Sequence, residues 1–157
     1  MTHNLDETHD RARRSFVEDA NRPDNDFPIQ NLPLGVFSTK ADPIARIGVA
    51  IGDHVLDLKK ASGASERFTS QTHGALQETS LNSLFALGLA AMRDLRRTVA
   101  DMLDQGSSGN QVRRHASDLL TPMVACTLHL PTKVSNYTDF YAGIYHARAA
   151  GARAVHS

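Results

Sequence analysis

An aspartate and a histidine seven residues apart, Asp139 and His146, stand in the stretch Asn136-Tyr137-Thr138-Asp139-Phe140-Tyr141-Ala142-Gly143-Ile144-Tyr145-His146, which also holds all three tyrosines of the chain. On a helix this spacing is two turns, which returns both side chains to one face about 10 Å apart. They could not touch each other, but both could touch a ligand lying between them. The carboxylate offers hard oxygens to a cation, and the imidazole exchanges a proton near neutrality. Aromatic side chains at such spacing also pack into cores, and the residues alone leave both readings open.

Other reactive side chains read more simply. Cys126, the single cysteine, sits among apolar residues and has no partner for a disulfide, so it reads as a packed thiol rather than a nucleophile. His3 and His9 fall in a polar tail and do not make a metal site. His129 alternates with Leu128 and Leu130, so on a strand it points away from them, as a surface or hydrogen-bonded histidine. Arg93, Arg96 and Arg97 could form a phosphate patch, but nearby Asp94 and Asp101 favour a solvated face.

The elements that must position these residues follow from the hydrophobic pattern. Residues 1–25 carry many charges and few large apolar side chains, which predicts a mobile tail. Pro28 and Pro33 bracket an extended segment. Residues 36–39, 46–51 and 54–58 then read as three short strands, separated by turns at 41–43 and at Gly52-Asp53, in an antiparallel meander that forms a compact barrel or curled sheet. Residues 61–77 are rich in Ser, Gly, Thr and Gln and read as a surface loop.

From Leu81 to Leu103 apolar residues recur every three or four positions, predicting one amphipathic helix with Ser80 or Ser83 as N-cap and Gly106 just past its end. A shorter helical stretch over 111–120 and a buried strand over 123–130, ended by Pro131, complete the pattern.

Composition bounds the partners. The 17 basic and 17 acidic side chains balance without a basic block, which argues against nucleic acid or an anionic membrane as partner. The longest apolar run, residues 84–92, is about half a membrane span, and the charged N-terminus lacks the apolar region of a signal peptide, so the expectation is a cytoplasmic protein.

Residues 137–141, followed by His146-Ala147 and preceded by His129-Leu130-Pro131, resemble the active-site segment of the fumarylacetoacetase family. The likeness continues upstream through residues 27–39, 46–53, Leu56-Asp57-Leu58 and Leu81-Asn82-Ser83 in the family's order. The resemblance implies an α+β chain. A small SH3-like β-barrel N-terminal domain with a packed amphipathic helix would span residues 26–130, and the start of a catalytic domain residues 131–157. It implies hydrolysis of the carbon–carbon bond of 4-fumarylacetoacetate to fumarate and acetoacetate in tyrosine breakdown, by a homodimer. Asp139 would bind Mg²⁺ or Ca²⁺, Tyr141 would contact the substrate and His146 would be the general base.

Two departures accompany the likeness. Asn136 stands where the family has an aspartate that is not a ligand, and residues 152–157 match nothing in the family. The family's other metal carboxylates and the acidic partner of the histidine come from the later part of the catalytic domain. The expectation is therefore a truncated chain with weak or no cation binding and little activity, or a non-catalytic remnant serving as a binding or interaction module.

Overall fold

The structure, a computed structural model, describes residues 5–107, 111–136, 138 and 143–154. Strands β1 (Leu34–Thr39), β2 (Arg46–Ile51) and β3 (His54–Asp57) form the expected antiparallel meander. The β2–β3 connection is tight because Gly52 supplies a positive φ of 55°. A side chain there would also overlap the Asp19 carboxylate, whose Oδ2 accepts a hydrogen bond from the Asp53 amide.

Two further strands flank the meander, β4 (Leu120–Pro122) against β3 and β5 (Cys126–His129) against β1, giving the order β4-β3-β2-β1-β5. The outer strands lie at opposite edges, yet only the 3₁₀ turn Met123–Ala125 separates them in sequence. Four residue steps reach at most about 14 Å, so the sheet must curl until its edges nearly meet. It does not close. The expected barrel is instead an open five-stranded sheet: the edge strands are only three and four residues long, and the Met123 amide between them bonds the Asp53 carbonyl at 2.8 Å.

One face of the sheet carries Val36, Ile47, Val49 and Leu56 into a core shared with Leu58, Leu76, Leu84, Leu95, Val99 and Leu103 from the helices. The other face holds Phe37 beside the small Gly48. A Cβ at Gly48 would stand 2.6 Å from Val55 and 2.8 Å from the Phe37 ring, so only glycine fits. Arg46, directly across from Phe37, lays its guanidinium 4.4 Å from that ring's centroid. Its Nε donates at 2.6 Å to Asp57 Oδ2 in a pair with side chains only 5% and 1% exposed.

The other oxygen of Asp57 accepts from the Lys60 amide and caps α1 (Leu58–Gly63). With α2 (Ser70–Leu76), capped by Thr69, this helix occupies what reads in sequence as a loop over 61–77. Ala61, Ala75 and Leu76 bury there, which a surface loop would not do. The single helix expected over 81–103 is two, α3 (Asn82–Ala86) and α4 (Gly88–Leu103), because Gly88 adopts φ 83° and breaks the run. Neither Ser80 nor Ser83 caps α3, whose N-cap is Leu81 without a side-chain bond. α4 buries Leu95, Val99, Met102 and Leu103 at helical spacing. The helical stretch expected over 111–120 appears as α5 (Gln111–Arg114) and α6 (Ala116–Leu119).

The expectation of a mobile tail over residues 1–25 is not met by residues 5–25. Two 3₁₀ turns, Glu7–His9 and Glu18–Asn21, lie in this stretch, and Thr8, Ser15, Val17 and Ala20 are buried. The end of a helix leaves carbonyls without partners, and this segment supplies them: the Phe16 amide and the Ser15 hydroxyl both donate to the Leu103 carbonyl at 3.0 Å. Arg13 bonds Asp101 and Asp104 at 2.6 Å each, Arg96 donates to the Thr8 hydroxyl at 2.8 Å, and Arg97 bonds Glu7 at 2.8 Å. Few apolar side chains suffice when arginine bonds made from both sides of the contact hold the segment down.

Two outcomes follow from these contacts. Asp57→Asn leaves the buried Arg46 with only the half-exposed Asp42 carboxylate, 3.3 Å from its Nη1, so urea unfolding should show a loss at the lower end of about 3–5 kcal/mol, partly restored in the Arg46→Met/Asp57→Leu double variant, which still lacks the side-chain cap of α1. The carboxyl of Asp6, which accepts from the Thr8 hydroxyl at 2.6 Å, is lowered from 3.8 to about 2 chiefly by that bond. A depressed carboxylate stabilises the folded state above its unfolded pKa and ceases to do so as pH falls through the folded one. Amide exchange around Thr8 should therefore lose protection between about pH 4 and about pH 2, and an Asp6→Asn variant should show no such step.

Candidate functional site

The route to the expected site begins on β5, which pairs with β1 in the register Val36↔His129 to Thr39↔Cys126. His129 places Nε2 2.8 Å from the Ser38 hydroxyl, the hydrogen-bonded role its alternation suggests. Cys126 lies partly buried with its thiol 3.5 Å from the Pro122 carbonyl, and burial pushes its pKa up, away from the thiolate a nucleophile needs. The strand itself is shorter than the 123–130 run and is not buried as expected. Val124, Leu128 and Leu130 are exposed, the last two by 70% and 84%. Apolar content reports burial somewhere, and here nothing within the described residues covers it.

Beyond β5 the chain is held by a device that sequence reasoning missed. Asn82, at the start of α3, accepts the Lys133 amide at 2.8 Å on Oδ1 and donates through Nδ2 to the Lys133 carbonyl at 3.0 Å. The neighbouring Leu81 amide donates to the Pro131 carbonyl at 2.8 Å. A side-chain amide matches both backbone groups of one residue, so Asn82 fixes the direction in which the chain leaves the sheet. The visible signal was an asparagine at a helix start, where a local cap is the usual reading.

His146 lies exposed in the first turn of α7 (Ile144–Ala154), beside the exposed Ile144 and Tyr145. Gly143 accepts the Ala147 amide at 3.1 Å just before the helix. Asp139 and Tyr141 fall outside the described residues, and so does the meeting of Asp139 with His146 that a helical spacing would produce. Among the described residues no group of three or more His, Cys, Asp or Glu side chains is arranged to hold a metal ion. The described residues therefore do not fit a divalent cation on their own. Nor does any described helix have the length and apolar character to cross a membrane.

Comparison with known proteins gives a consistent picture. The family described as Fumarylacetoacetase N-terminal matches residues 30–131. Fumarylacetoacetase of Rattus norvegicus is 41% identical over 136 residues, covering 82% of this chain and 31% of the rat protein. The Caenorhabditis elegans fumarylacetoacetase is 38% identical over 141 residues, covering 88% of this chain and 33% of its own, and the Arabidopsis thaliana protein is 33% identical over 143 residues with the same shares. The chain thus spans about a third of the length of the curated relatives it matches.

Exposed apolar side chains on β5 and after it should make this face adhesive. The protein should enhance the fluorescence of an apolar dye such as anilinonaphthalene sulfonate. Leu128→Glu with Leu130→Glu should reduce that signal while moving the urea midpoint little, about 0.5 kcal/mol or less in stability. A large stability loss in the double variant would mean that these side chains are buried.

Proposed function

The chain belongs to the fumarylacetoacetase family through its N-terminal region, and from that premise we propose that it serves the hydrolytic cleavage of 4-fumarylacetoacetate to fumarate and acetoacetate. In this reading Asp139 contributes one oxygen ligand to a Mg²⁺ or Ca²⁺ site, Tyr141 contacts the substrate and His146 takes a proton from the attacking water. The substrate is a small cytoplasmic metabolite, with no nucleic acid or membrane involved, and the working unit is a homodimer. The single observation that supports the reading most is the 41% identity to the rat fumarylacetoacetase over 82% of the chain. The exposed position of His146 on α7 agrees with a base that faces a cleft rather than a core.

One carboxylate cannot hold a hard cation that takes six or more oxygens, so further ligands must join Asp139, and no cluster of them is formed among the described residues. The SH3-like description of the curled sheet, with its 3₁₀ turn between the last two strands, belongs to the same reading. The domain acts as a scaffold that carries residues 133–146 to the site, with Asn82 setting the exit direction.

The test follows loss of fumarylacetoacetate with added Mg²⁺ or Ca²⁺. The purified 157-residue protein should show no turnover, while residues 1–151 joined to the remaining two thirds of the rat relative should be active. Asp139→Ala and His146→Ala should each lower the fusion's turnover by about a hundredfold or more. An active fusion indifferent to both substitutions would overturn the assignment of residues.

A further inference from the structure

α4 does not seat flush on the sheet along its whole length. Between α4, strands β1 and β2 and Leu32 just ahead of β1 lies a cavity of about 280 Å³ whose lining includes Leu32, Leu34, Val49, Leu89, Met92 and Val99. The walls are almost wholly apolar, and Leu89 at the rim is exposed. Two guanidinium groups, Arg93 and Arg96, complete the lining.

These two arginines differ from their neighbours on the helix. Arg97 pairs with Glu7, Asp6 and Asp94, and Arg13 pairs with Asp101 and Asp104. Arg93 and Arg96 form no ion pair among the described residues. Arg96 spends Nε and Nη2 on neutral oxygens, the Thr8 hydroxyl and the Gln30 carbonyl at 2.6 Å. Burial draws its pKa below the usual arginine value, only partly offset by Asp6, with the Arg13 charge adding to the depression. A partly buried cation that lacks a carboxylate, set at the mouth of an apolar cavity, presents half of a recognition pair.

We propose that this cavity is a binding site for a small amphiphilic carboxylate. The apolar body lies between α4 and the sheet, and the carboxylate is received by Arg93 and Arg96. The volume suits an aliphatic or aryl acid of about ten non-hydrogen atoms, below the size of most drug-like ligands. Charge complementarity selects the acid over a neutral body of the same shape. The site is lined by residues of α4, β1, β2 and Leu32 and uses none of residues 137–146, so its test does not depend on the chemistry proposed above.

The probe is sodium octanoate, titrated into the 157-residue protein with methyl resonances as the readout and 1-octanol as the neutral control. Octanoate should bind saturably, shifting Leu32, Leu89 and Met92, and octanol should bind about tenfold more weakly or worse. Arg93→Gln, at an exposed position with no ion pair among the described residues, should weaken octanoate several-fold toward the affinity of octanol and leave octanol unchanged. Met92→Trp should fill the cavity and abolish both. Equal affinities for acid and alcohol, indifference to Arg93→Gln, shifts confined to Leu128 and Leu130, or no saturation by about 10 mM would each overturn the proposal.

Discussion

Arg46 and Asp57 form a nearly water-free ion pair on which the relation between sheet and helices turns. Asp57 closes β3, accepts the Arg46 side chain from the middle of the sheet, and caps the first turn of α1. A charge in such surroundings is costly without a partner, so the two residues tolerate few alternative arrangements. Arg46 is held on its far side by the carbonyls of Asp42 and Ile44, each at 3.2 Å, and covers Phe37. The absent side chain of Gly48 leaves Phe37 the room to lie there. One pair thus sets the β1–β2 turn, the packing of the second sheet face and the start of the helical layer.

Backbone hydrogen bonding settles a second question, where the last turn of α4 finds its partners. They come from residues 14–16, nearly ninety positions earlier, and the same segment grips the β2–β3 turn through Asp19. A stretch that cannot build a core of its own is ordered because the folded domain offers it an unsatisfied carbonyl, two carboxylates and two arginines. The scaffold reaches the reactive end by a similar economy: Asn82 and Leu81 make three bonds to residues 131–133 and aim the chain away from the sheet.

Strands were the most legible part of the sequence, since period-two patterns and a Gly-Asp turn depend on local chemistry. The helices α1 and α2 were hidden because their caps, Asp57 and Thr69, look like ordinary strand-end and loop residues until the helix exists. The break before α4 had a visible sign in Gly88, outweighed by the strong apolar period on both sides of it. Composition misread residues 5–25, whose order comes from charged contacts made at long range. The 123–130 run shows a further limit, because an interface and a core demand the same side chains. At the site, residue types and family likeness named Asp139, Tyr141 and His146, and only His146 falls among the described residues. The role of Asn82 was hidden because its partner, Lys133, lies fifty-one positions away.

The short link between β4 and β5 ties opposite edges of the sheet into one event. Residues 34–57 can pair locally as soon as they exist, but both outer strands arrive together on a single ten-residue piece, 120–129. Neither edge can be laid down much before the other, because the three-residue turn leaves no slack for one strand to dock while its neighbour wanders. During synthesis the meander must therefore wait with two bare edges until residue 129 has cleared the ribosome, and only then does the sheet complete itself. That interval is the period in which the chain is most open to pairing with the wrong strand.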